Sequence, residues 1–478
     1  MKLSVSMEPR TRENLIMNII EKIAVLLLVL GTALVVAPGV PCIARAETLE
    51  LTLEEAIELG LSNNASVKSA RLAVEAAEAG VSSAKALNYP DLSVGAVYTH
   101  VFEDQKSFTT GLYQSSSDPI SLSADLSQNI TTFGKARNSI RLARESVASS
   151  VLDYEEERRS LIVNIKRAFY QYLLAREILS VQQESLAYKE DALSLARERY
   201  ESGLVPDYEV LQAESDLESF KPELIDAQNQ VTFAELAVRD ILGIDRDEEV
   251  IIVLVGNLEE PASLEISSEL LMERALAENS TLQQRRQALA LQQVQVELSR
   301  VQKRPSIVGF ARYGLESGYD PQTGKAKYWG TDAWDGNLTA GVSVQMPLSG
   351  LFPWSGENAD ITQSSRNLEK LSVELESTQS SVRLTVHNAL LAMEKQESKI
   401  TSGRKYVQLA QRLYESARER YNNGLITSLE FQDAQMGLNS ARLSYLQAVY
   451  DYRSARFELM DAIGVSSLVN NSFKEEML

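Results

Sequence analysis

Few residues in this chain have the type and spacing that chemistry requires. Its two histidines, His100 and His387, stand far apart with no histidine or cysteine neighbour at ligand spacing, and Cys42 is the only cysteine. No metal site is expected. The chain also lacks a glycine-rich phosphate loop, a nucleophile elbow and a histidine placed to act with a serine. No catalytic residue and no cofactor are therefore expected, and the chain does not read as an enzyme. The pair that stands out is Glu430 and Asp433, spaced i, i+3 on one face of an expected helix. Two carboxylates in one chain are ordinarily a solvated face. Repeated around an axis by several chains, they would make an acidic constriction that turns anions away.

The surroundings of that pair are written twice. Ala417-Arg418-Glu419-Arg420-Tyr421, then Gly424-Leu425, repeats Ala196-Arg197-Glu198-Arg199-Tyr200, then Gly203-Leu204. The shift of 221 residues holds without a gap from Ile140/Ile361 to Gly243/Gly464. Glu209 and Gln212 stand in the first copy where the second has Glu430 and Asp433. Each Tyr-x-x-Gly-Leu reads as a tight reversal after a helix, which Gly203 and Gly424 permit. The Leu204-Val205 and Leu425-Ile426 pairs that follow would be apolar residues exposed at the tip of a rod. They fit either a staple that closes the turn or a docking surface for a partner.

Long helices must carry these tips. Ile140, Val147, Tyr154 and Leu161 are spaced by seven; after a four-residue step the series resumes from Ile165 to Tyr200. The copy runs from Ile361 to Val382, steps by four, and continues from Val386 to Tyr421. Sustained heptads mean coiled-coil packing, and the step is a stutter that relaxes the supercoil. A helix from 134 to 200 would be on the order of 100 Å long. It returns as Asp207–Leu242, with Pro222 expected to kink or loosen it, and the early helix Ala65–Leu87 would cover the rest. The expected units are a first repeat, 47–258 (helices 52–88, strands 91–130, long hairpin 134–243), and a second, 259–478 (helices 268–303, strands 306–348, long hairpin 355–464). Glu249–Val255 reads as a short buried strand forming a belt around the helices.

Between the early helices and the hairpins, residues alternate with period two. The candidate strands are Asp91–Glu103, Pro119–Ile130, Ser306–Leu315 and Asn337–Leu348, each pair joined by a polar loop. Their length suits a tilted transmembrane strand, but the alternation alone fits a small soluble sheet equally well. Pro90 and Pro305, which precede the strands, are 215 residues apart, so the six-residue difference from the helical register falls in the strand region.

Residues 1–46 read as a signal peptide: Lys2, Arg10, Arg12 and Lys22 precede an apolar run from Ile23 to Ala37, and Ala44-Arg45-Ala46 offers small residues for cleavage. No other apolar stretch is long enough for a transmembrane helix, so entry into a membrane would require a β-barrel. The formal charge of −19 argues against nucleic acid as a partner.

Taken in order, the duplicated halves, Pro90/Pro305, the Tyr-x-x-Gly-Leu tips, and Leu242-Gly243/Ile463-Gly464 closing the returning helices resemble the TolC-like outer-membrane efflux channel family. The resemblance implies a mainly α fold with a β-barrel. Three chains would contribute four strands each to a twelve-stranded outer-membrane barrel on a periplasmic α-helical tunnel. It implies a homotrimer in outer-membrane lipid, acting as the exit duct of a tripartite efflux or secretion system. A periplasmic adaptor protein would dock at the tips (Gly203, Leu204, Val205, Gly424, Leu425, Ile426) and an inner-membrane pump would supply the energy. The gate residues it implies are Glu430, Asp433 and Tyr421; the arginine that partners this tyrosine in the family is replaced by Ile426. A type I protein-secretion component and a non-pore periplasmic coiled-coil scaffold are the alternatives, and drugs, metal ions and polypeptides all remain open as cargo.

Overall fold

A computed structural model describes residues 47–100, 105–106, 113–114, 120–244, 250–260, 267–320, 325–328 and 333–465. The expected signal peptide, most of the two strand-joining loops and the last residues lie outside that set. Two long helices dominate: α3 (Lys135–Glu201) and α7 (Gly356–Asn422), each of 67 residues, or about 100 Å at 1.5 Å per residue. Each reverses into a returning helix, α4 (Asp207–Leu242) and α8 (Ser428–Ile463). The remaining length of each long helix is covered by a short pair, α1 (Leu53–Asn63) and α2 (Ala65–Ala86) in the first half, α5 (Ser268–Glu278) and α6 (Ser280–Val301) in the second. α4 runs through Pro222 as a single helix. The heptad residues are buried or half-buried along both long helices, with one exception: Tyr421 is buried, whereas its counterpart Tyr200 is exposed.

Where short and returning helices meet, the two halves use the same joint. Asn64 ends α1 and caps α2, and its Nδ2 donates to the Ile241 carbonyl near the end of α4 at 2.9 Å. Asn279 does the same between α5 and α6, donating to the Ala462 carbonyl at 2.9 Å. The helix ends approach so closely that a Cβ at Gly464 (φ +91°) would lie 2.3 Å from the Glu278 carbonyl oxygen. Around these joints sit two buried clusters. Phe169, Leu173, Leu242 and Val238 form part of one; Leu282, Val386, Tyr452 and Ile463 form part of the other.

The belt strand is present as β6 (Val250–Leu254), with Ile252 and Leu254 fully buried. Its partner, β1 (Glu47–Leu51), has no counterpart among the expected strands. β1 is short and pairs with a segment some two hundred residues away, so local pattern does not announce it.

The larger sheet joins β2 (Asp91–Tyr98), β5 (Ile120–Thr131), β7 (Ser306–Asp320) and β9 (Trp334–Gln345) in that order, all antiparallel. Short β3 (Gln105–Lys106) pairs with β4 (Tyr113–Gln114), and β8 (Lys325–Lys327) pairs antiparallel with the last residues of β7. β2 stops earlier than expected; β7 runs further, and β9 is shifted towards its N-terminus and followed by a 3-10 turn at Leu348–Leu351.

Candidate functional site

Register decides what the sheet can do. Leu92 faces Leu126, Val94 faces Ala124 and Ala96 faces Leu122 across β2 and β5. Ala124 then faces Tyr313, which faces Leu338; Leu126 faces Ala311, which faces Ala340. Because side chains alternate with period two, these pairs gather one continuous apolar face, and on β9 its Leu338, Val342 and Val344 are more than half exposed. The opposite face carries Ser121, Ser123, Ser127, Thr339, Ser343 and an ion pair between Arg312 and Asp125. Phe310 departs from this pattern, lying over Gly341, where a Cβ would approach it to 3.0 Å. Among the described residues β2 and β9 have no strand beyond them. A broad apolar exposed face and two open edges are liabilities in water and suit a barrel wall in a membrane that neighbouring copies complete.

At the far end of the long helices, both tips close in the same way. The Leu204 N–H donates to the Arg199 carbonyl at 2.8 Å and the Gly203 N–H to that of Tyr200 at 2.9 Å. The second tip repeats this with Leu425 to Arg420 at 2.8 Å and Gly424 to Tyr421 at 3.0 Å. The glycines sit at φ +70° and +71°, where L side chains are strained. The same bonding closes α4 at Gly243-Ile244 and α8 at Gly464-Val465, where the residue after the glycine packs against a core cluster. At the tips that residue packs against nothing comparable: Leu204 is 75% exposed and Leu425 72% exposed. The staple therefore operates at one end of the hairpins and is missing at the other. Val205 and Ile426, expected to be exposed, are half-buried, and Ile426 packs on the second tip's core as the chain turns back into α8.

Tyr421 lies 5% exposed in that core, stacked on Phe431 with centroids 5.0 Å apart and planes 3° from parallel. Burial raises its pKa; the nearby Arg199 guanidinium opposes the rise and Glu209 adds to it. Arg199 reaches across from the first tip. Its Nη2 donates to the Tyr421 carbonyl at 2.9 Å and to that of Asn422 at 3.3 Å, while its guanidinium carbon sits 4.6 Å from the Tyr421 ring centroid. The cation thus meets the negative end of α7 and the face of a tyrosine together. Tyr421, for which the resemblance implies an arginine where Ile426 stands, is met by an arginine from another helix. Sequence reasoning missed Arg199, although it stands beside Tyr200 in the repeated motif.

Glu430 and Asp433 are both exposed on α8, just beyond the second tip. Glu430 is already engaged: its carboxylate accepts from the Thr427 N–H at 2.9 Å and the Thr427 hydroxyl at 3.1 Å, while Thr427 caps the helix in return. Those bonds, from the backbone N–H first, hold the Glu430 carboxyl below the usual glutamate range. Thr427-x-x-Glu430 is a capping box legible in the sequence. In the first copy Pro206 replaces the threonine and makes no side-chain cap. Among the described residues no helix is long and apolar enough to cross a membrane, and no group of three or more His, Cys, Asp or Glu is placed to hold a metal ion.

Comparison with known proteins agrees with this geometry. The family described as outer membrane efflux protein matches residues 56–244 and 271–465, one match in each half. Outer membrane protein TolC of Escherichia coli (strain K12) is 24% identical over 432 residues, covering 89% of this chain and 84% of TolC. Outer membrane efflux protein BepC of Brucella suis is 22% identical over 421 residues, covering 87% of this chain and 86% of BepC. Among solved structures, the Campylobacter jejuni CmeC outer membrane channel superposes with a TM-score of 0.71 at 21% identity, over 89% of this chain and 88% of that one. That likeness concerns the fold.

Proposed function

We propose, from the premise that this chain belongs to the outer membrane efflux protein family, that three copies form a passive exit duct fed by an inner-membrane pump through a periplasmic adaptor. The observation that carries the reading is the sheet register: one face gathers an exposed apolar band across all four strands, and both sheet edges stay open among the described residues. Four strands cannot enclose a lumen, so closure falls to further copies. The helices continue the wall below the membrane for about 100 Å. The exposed Leu204 and Leu425 serve as the adaptor's footing, supported by the contrast with the packed Ile244 and Val465.

Gating belongs to the same end. Arg199 clamps the first tip to Tyr421 of the second, and Glu430 with Asp433, repeated by three chains, forms an acidic ring at the mouth. Opening requires the Arg199 clamp to release, which a docked adaptor can offset with contacts of its own.

Cell fractionation tests the assignment against a soluble scaffold. The expected result is a chain that needs detergent to leave the outer membrane and migrates as a heat-modifiable trimer. Release from the periplasm by osmotic shock, as a monomer, would refute the duct.

A further inference from the structure

The junction of barrel and tunnel carries a charge pattern opposite to that of the chain as a whole. From Thr132 to Arg144 there are four cations (Lys135, Arg137, Arg141, Arg144) and no carboxylate, in a protein of formal charge −19. Arg137, Arg141 and Arg144 follow at i, i+4 and i+7, so they share one face of α3, and all three are exposed. They line a cavity of about 600 Å³ whose apolar wall is Ile130, Phe133 and Ile140. Arg141 is paired with Glu297 of α6 at 2.6 Å. Arg137 and Arg144 have no carboxylate partner among the described residues.

Ile130 fixes which side of the wall this cavity is on. It is the bulged residue where β5 slips register between Asn129 and Thr131. A Cβ at Gly309 would touch its Cδ1 at 3.3 Å. Gly309 faces Val342 on the apolar side of the sheet. The arginines therefore lie on the membrane-facing side, at the level where the apolar band ends. The junction is held in place: Phe133 adopts φ +46° and its carbonyl accepts from Arg304 Nη1 at 3.1 Å, while Gln128 and Asn129 bond the carbonyls of Asn88 and Leu87 at the end of α2. At this barrel end α3 packs against α2 and α6 of the same chain, with Arg141 paired to Glu297 of α6. Joining copies through β2 and β9 leaves the cavity uncovered.

We infer that this cavity binds the headgroup of an anionic phospholipid in the periplasmic leaflet of the outer membrane. Guanidinium groups match phosphate oxygens in geometry and charge. Ile130 and Phe133 offer contact to the upper acyl chain at the same depth, and a basic cluster at a bilayer surface selects anionic lipid. The inference rests on the outer-membrane placement above and adds a lipid specificity to it.

Native mass spectrometry of the purified full-length protein in nonionic detergent tests this, with dioleoyl-phosphatidylglycerol titrated against dioleoyl-phosphatidylcholine. The wild type should favour phosphatidylglycerol at least tenfold. Replacing all three arginines by glutamine should reduce phosphatidylglycerol affinity about a hundredfold and leave phosphatidylcholine binding unchanged, while the triple lysine variant keeps most of the preference. Should the triple glutamine variant fail to trimerise, the single R144Q, on the exposed face, should still lose about fivefold. Equal binding of both lipids by the wild type would overturn the inference, as would a glutamine variant with undiminished preference. So would inorganic phosphate displacing the lipid at matched concentration. Conductance measured on the same samples reports on the duct separately: a conducting trimer without lipid preference overturns only this site.

Discussion

Arg199 ties the two tips of one chain together. Its two hydrogen bonds to the end of α7 and its place over Tyr421 are together worth about 2 kcal/mol, enough to move a closed–open ratio by about thirtyfold. Arg199→Ala should therefore raise the resting single-channel conductance, with Arg199→Lys intermediate; an unchanged closed conductance in the alanine variant would remove the clamp from the gate. Glu430 makes a pH prediction. Its charged form is the one bonded to Thr427, so its pKa lies below the ordinary glutamate value of 4.5. The bonded carboxylate's contribution to tip stability is present above the ordinary glutamate range and fades as pH falls through the depressed value. The negative charge of Glu430 persists over the same range. Block of the channel by polyvalent cations should hold at pH 5 and weaken only below about 4.5. Glu430→Gln with Asp433→Asn should abolish the block at every pH, and retained block would place the constriction elsewhere.

Among the elements, the helices were largely legible and their differences were not. Heptads and the stutter predict α3 and α7 to within a residue or two, because period is a local property. The same heptads give Tyr200 and Tyr421 one role, and the structure separates them. Phe431 stacks on Tyr421, whereas the first copy has Val210 at the matching place. The strands were placed, but their membrane character was not: that emerges only from register, which is a relation between segments. Glycines at two helix ends supply a paired test. A Cβ added at Gly424 would meet nothing within 4 Å, so Gly424→Ala should cost only the left-handed strain, about 1–2 kcal/mol. Gly464→Ala adds a collision with the Glu278 carbonyl and should cost about 3 kcal/mol or more, read as the difference in thermal dissociation of the trimer. Equal losses would show that the α5–α6 joint yields. Leu204→Ser with Leu425→Ser should leave that stability within about 0.5 kcal/mol while abolishing efflux in cells; a functional double variant would free the tips from adaptor docking.

At the scale of the whole molecule, the internal repeat predicts the contact between copies. Within one chain Arg199 of the first tip covers Tyr421 of the second. Arg420 and Tyr200 are their counterparts at the 221-residue shift, and both are exposed. A ring of three chains makes six alternating tips, so Arg420 of one copy should cover Tyr200 of the next. Paired cysteines at 200 and 420 should then link chains into a covalent trimer under oxidation; intramolecular linkage alone would contradict the ring. If the chain is one third of a pore wall, purified trimer must conduct in a planar lipid bilayer. Discrete, ohmic conductance steps are expected, blocked by polyvalent cations from the side exposed to the helical tips. A detergent-extracted trimer that inserts and yet conducts no ions, even with Arg199 replaced by alanine, would contradict it.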